Sequence, residues 1–181
     1  MEMNEDLNCI LASFGDPESP NIDTLKRNVV LGWMQSQDIN TIGAIYSLLL
    51  KRVYTSRIEP PLVFEDYKGL FLRFYERCIT EDSALADDLD SFVLSRYTAA
   101  LDFTRWFISV FQDDQIPRRH IDEIKNWLKQ LYIDGSPAVK LCIETGILEH
   151  LFTIEQIKRD FSDWKSDPLL KSAYRAALAS H

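Results

Sequence analysis

Apolar residues recur along most of this chain at intervals of three and four, the spacing that lines one face of an α-helix. Leu25, Val29, Val30, Trp33 and Met34 make one such stripe after Asp23, a residue suited to an N-cap. A second runs through Ile39, Ile42, Ile45, Tyr46, Leu49, Leu50 and Val53 behind Asp38, and the double proline Pro60-Pro61 follows it. Residues 62–79 carry Phe64, Tyr67, Phe71, Phe74, Tyr75 and Cys78 on one face. Residues 83–111 read as the longest helix, about eight turns, with Leu85, Leu89, Phe92, Val93, Arg96, Ala100, Phe103, Phe107 and Val110 as its stripe. Residues 118–132 turn Ile121, Ile124, Leu128 and Leu131 inward. Two short helices close the chain, over 154–164 and 169–179. No stretch alternates apolar and polar residues between hairpin turns, so no strand is predicted.

The stretch 137–152 differs from the rest. Ser136 is a good N-cap, and Pro137 suits the first helical position, where its missing N–H costs nothing. Val139, Leu141, Cys142, Ile143, Ile147, Leu148, Leu151 and Phe152 spread around every face, the pattern of a helix enclosed by others. Gly146, one turn after Cys142, lets a neighbour approach closely. The prediction is an all-α fold, an irregular bundle of seven or eight helices with a buried central helix near 137–152. At 181 residues the chain reads as one helical domain, with 1–22 a loosely attached segment around the breakers Gly15-Asp16-Pro17-Glu18-Ser19-Pro20.

Charge alters this picture by its distribution. The net charge is −8, which argues against nucleic acid or an anionic membrane as the main partner and permits a basic protein. Residues 80–114 hold eight acids against Arg96 and Arg105, a net of −6. Within that zone Asp82, Asp87, Asp88, Asp90, Asp113 and Asp114 are candidate partner-binding residues. Cys9, Cys78 and Cys142 are odd in number and widely spaced, the usage of free thiols in a reducing compartment. The acidic N-terminus does not resemble a secretory signal, and no apolar run reaches transmembrane length. A cytoplasmic location follows as the expectation.

Reactive constellations are sparse. No phosphate-binding glycine loop, nucleophile elbow or HExxH motif is present. His120 and Glu123 stand three apart on a helix and offer at most half of a carboxylate–histidine metal site, so no cofactor or metal is expected and the reading leans away from an enzyme. Polar groups on or near the apolar helix need partners, which makes Arg96, Glu144, Glu149 and His150 candidates for a buried polar cluster. Arg96 either snorkels to an edge, pairs with Glu149 or Glu144, or lines a polar pocket.

The run Ile143-x-x-Gly146-x-Leu148-Glu149-x-Leu151, after a helix that ends near Gly135, resembles a segment of small all-helical bacterial proteins of unknown function, some of them thought to be immunity proteins of polymorphic toxin systems. The likeness covers roughly residues 60–181 and rests on packing positions. It implies a non-enzymatic protein that binds a cognate toxin. Acidic residues of 81–90 and 113–114 would then face a basic surface on that toxin and occlude its active site. The alternatives are a small enzyme with a pocket around Arg96 and His150, and a structural adaptor. Oligomeric state is not legible.

Overall fold

The computed structural model describes residues 10–12 and 24–179. The N-terminal segment 1–22 and the cap Asp23 fall largely outside the described residues. Of them, residues 10–12 are helical and Ile10 is buried. The chain divides into two compact units, one formed by residues up to 74 together with 83–94, the other by 75–82 and 95 onward.

The first unit begins with β1 (Leu25–Lys26), which runs directly into α1 (Arg27–Trp33). Helix α2 (Ile39–Leu49) follows, capped by the Asp38 carboxylate, which accepts the Thr41 N–H at 2.8 Å as its spacing predicts. A single turn, α3 (Arg52–Thr55), leads to β2 (Ile58–Glu59), which pairs in parallel with β1, Leu25 opposite Ile58. The fold is all-α as expected, and this pair corrects only the expectation that no strand forms. Each strand is two residues long, too short to show the alternation that marks a strand in sequence. Helix α4 (Phe64–Glu81) gives its residues 64–74 to this unit. Tyr46 from α2 packs on Phe71 and Phe74 of α4, ring centroids 4.9 and 4.7 Å away, within the preferred range for aromatic pairs. The Asp66 carboxylate caps α4 by accepting the Val63 N–H, and also accepts from Nε and Nη2 of Arg27.

The second unit holds the end of α4, then α5 (Arg96–Gln112) and α6 (Arg118–Asp134). Ser136 caps the next helix and Pro137 opens it, as predicted. That helix starts as α7 (Pro137–Cys142), widens into a π-helical stretch (Ile143–Leu148) and ends as α8 (Glu149–Leu151). Helix α9 (Glu155–Asp160), a 3₁₀ turn (Ser162–Lys165) and α10 (Lys171–Ala179) complete the unit. Val139, Cys142, Ile143, Ile147, Leu148 and Leu151 are all at most 2% exposed, the buried helix the sequence predicts. Its enclosure is incomplete, since Leu141 is 52% exposed. The π-helical stretch packs against α5 and α10.

Gly146 is where α5 comes close. A Cβ placed on it would stand 3.1 Å from the Ala100 Cβ and 3.4 Å from the Tyr97 ring. The Thr104 hydroxyl of α5 reaches the Gly146 carbonyl at 3.3 Å. π-Turns occur mostly as single bulges within α-helices. Here the Glu149 N–H bonds the Glu144 carbonyl, five residues back instead of four.

The long helix expected over 83–111 does not form as such. Only its second half is α5. Residues 84–87 make one 3₁₀ turn and 88–94 are non-helical. Side chains compete with the helix for backbone N–H groups here. Ser83 takes the Leu85 N–H, Asp88 that of Asp90, Ser91 that of Val93, and Ser95 caps α5 through Thr98. Leu89, assigned to the apolar stripe, is fully exposed.

Candidate functional site

The first unit sets residues 88–93 into a defined loop through Asn40 of α2. The Asn40 carbonyl oxygen accepts the Phe92 N–H at 2.7 Å and the Ser91 hydroxyl at 3.3 Å. Next to this contact, Gly43 leaves room for the Phe92 backbone. A Cβ on Gly43 would stand 2.4 Å from the Phe92 oxygen, nearer than any side chain permits. Val93 is buried, Asp88 is half-buried, and Leu89 and Asp90 face solvent. The Asp87 side chain lies outside the described residues. The loop therefore presents an apolar side chain between two carboxylates on an anchored backbone.

The remaining predicted acids lie in the second unit. Asp82 follows the end of α4 with a positive φ of 47°, a conformation Asp tolerates better than most residues. Its carboxylate pairs with Arg96 at 3.2 Å. Asp113 accepts the Gln115 N–H at 2.9 Å just after α5, and Asp114 is exposed beside it. Both bases of the acidic zone are engaged within it, Arg96 with Asp82 and Arg105 with Asp102, while Glu81 pairs with Arg77. Among the described residues no basic side chain pairs with Asp88, Asp90, Asp113 or Asp114.

The four residues expected as a buried polar cluster have separate surroundings. Arg96 turns to the C-terminal end of α4, where its Nε donates to the Ile79 carbonyl at 2.7 Å. A cation there meets the negative end of the helix dipole, so its partner is Asp82 in place of Glu144 or Glu149. Glu144 accepts the Tyr132 hydroxyl at 2.7 Å, and that hydroxyl lies 3.3 Å from the Ser172 Oγ. Burial pushes the Tyr132 phenol above its ordinary pKa. Glu149 is half-buried. His150 is exposed and corrects the expectation of a buried histidine. In an α-helix, position 150 shares the face of Gly146. The π turn adds one residue, so Leu151 takes the inward place and His150 turns out. His120 is buried, its Nδ1 3.4 Å from the Glu123 carboxylate. Burial raises the Cys142 thiol to a pKa of about 11, which makes it a poor nucleophile.

One arrangement has no precursor in the sequence patterns. An open cleft of about 180 Å³ in the second unit is lined by Glu76, Thr80, Trp127, Gln130, Leu131, Asp134 and Gly135. The Trp127 indole N–H donates to the Glu76 carboxylate at 2.9 Å, and its ring packs 5.1 Å from that of Phe103. The only sign in the sequence is Trp127 itself, a large ring beside a stripe it does not belong to. Among the described residues no helix is long and apolar enough to cross a membrane. No family model, curated protein or solved structure matches this chain.

Proposed function

We propose that this protein is an acidic helical binding module whose anchored loop 88–93 docks on a basic protein surface. The observation that carries this reading is Leu89, fully exposed between Asp88 and Asp90 on a backbone held by Asn40. An ordered loop loses less entropy on binding than a mobile one. An exposed leucine rimmed by carboxylates fits an apolar pocket rimmed by Lys or Arg, with the charges raising the association rate. Occlusion of a toxin by such a loop, as an immunity protein works, is the specific form of this proposal. Asp113 and Asp114, on the other unit, are not required for it. The enzyme alternative has less support, since Arg96 is engaged with Asp82 and Ile79 and His150 is exposed.

The experiment is affinity capture from the native host with wild type and with a Leu89→Ala, Asp88→Lys, Asp90→Lys variant. A basic protein retained by wild type and lost by the folded variant supports the reading. Equal recovery by both overturns it.

A further inference from the structure

We infer that the cleft between the end of α4 and the last turns of α6 binds a small organic cation, an alkyl-guanidinium or alkyl-ammonium head on a short aliphatic stem. The lining is selective in charge. It contains the carboxylates of Glu76 and Asp134 and no Lys or Arg. Asp134 is the last residue of α6, and no basic residue occupies that helix's last turn. A carboxylate at the negative end of a helix dipole is unfavourable unless a cation faces it. The end of α4 differs, because Arg96 already meets its carbonyl at Ile79.

The remaining lining suits a cation with an apolar stem. Trp127 lines the cleft, and an indole is the strongest aromatic partner for ammonium or guanidinium groups. Its edge N–H is engaged by one oxygen of Glu76, Oε2. The Thr80 hydroxyl donates to the Glu76 backbone carbonyl at 2.7 Å, so its lone pairs are left to accept from a ligand N–H. Leu131, one turn after Trp127, supplies an aliphatic wall. The volume of about 180 Å³ is far more than one water needs. That suits a guanidinium with a three- or four-carbon stem and is well below a drug-sized pocket. Both carboxylates are exposed, so each contributes modestly and binding is weak. The same head group occurs in a free polyamine-like molecule and in an arginine side chain of a partner protein.

The test is an NMR titration of ¹⁵N-labelled protein, following the Trp127 indole resonance assigned with Trp127→Phe. Agmatine is the free probe, a short arginine-containing peptide the second, and the uncharged alcohol 1-butanol the control. A saturable shift with agmatine that weakens at least tenfold in Glu76→Gln/Asp134→Asn, with no saturable shift from butanol, supports the site. Tighter binding of the peptide assigns the arginine source, and tighter binding of agmatine the free amine. Glu76 and Asp134 are exposed, so the double variant folds, which the dispersion of the other indole resonances checks. No saturable shift with either cation, an equal response to butanol, or unchanged binding in the double variant overturns the inference.

Discussion

The stretches 137–152 and 83–95 both read as helix, and only the first is one. Both carry apolar residues at helical spacing. They differ in what their polar residues do. In 137–152 the one capping serine sits at the start, where its hydroxyl accepts the Val139 N–H and helps nucleation. In 83–95, Ser83, Asp88, Ser91 and Ser95 are spread through the stretch, and each takes a backbone N–H locally. The Asp88 and Ser91 bonds compete with a helical turn, while Ser83 opens only a 3₁₀ turn and Ser95 restarts the helix as the cap of α5. Tertiary contacts complete the choice, since Asn40 and Gly43 receive Phe92 in a non-helical conformation. Apolar periodicity therefore specifies a helix only where capping residues are confined to its ends.

Substitutions at the close contacts of the two stretches sharpen this comparison most. Gly146→Leu should destabilise by about 3 kcal/mol or more, because the side chain has to displace Ala100 and Tyr97. Urea unfolding checks it, and an unchanged midpoint would show that α5 does not hold the π turn. Gly43→Ala should cost about 2 kcal/mol, since its Cβ meets backbone rather than a movable side chain. A gain in stability, the ordinary result of Gly→Ala in a helix, would place Phe92 elsewhere. The buried Cys142 thiol is raised from 9.0 to about 11. Between those values the unfolded chain ionises and the folded one does not, so stability falls as pH rises, by up to about 1.4 kcal/mol per pH unit. Comparing the alkaline slopes of wild type and Cys142→Ala isolates this contribution, and identical slopes would contradict it. Asn40→Ala should cost about 1 kcal/mol by leaving the Phe92 N–H unmet. It should also speed hydrogen exchange over 88–93, and unaltered exchange there would remove the anchor from the account.

Much of the fold was legible, and the residues that were not share one cause. Caps announce themselves locally, as Asp38 and Ser136 show, because cap and N–H are three residues apart. Gly146 was legible as a close approach because a glycine inside an apolar helix has few other uses. Asn40 was illegible because its partner is distant in sequence and an asparagine near a helix start has several ordinary roles. His150 was misplaced by the π turn, since one residue added to the helical repeat shifts every later position, and nothing in residues 143–148 marks that shift. The acidic zone was visible as a charge imbalance. Its division into paired Asp82 and Asp102 and unpaired Asp88 and Asp90 depended on where Arg96 and Arg105 point.

The central claim is that the loop around Leu89 is a docking element steered by charge, and stopped-flow association tests it most directly. The reactants are the captured basic partner and either wild type or Asp87→Lys/Asp88→Lys/Asp90→Lys. Circular dichroism and urea unfolding check that the triple variant is folded, with a loss of about 1 kcal/mol expected from the Asp88–Asp90 N–H bond. Association at low salt should be slower by an order of magnitude or more, and the deficit should shrink as ionic strength rises. Equal rates for the two proteins at low salt would contradict the account.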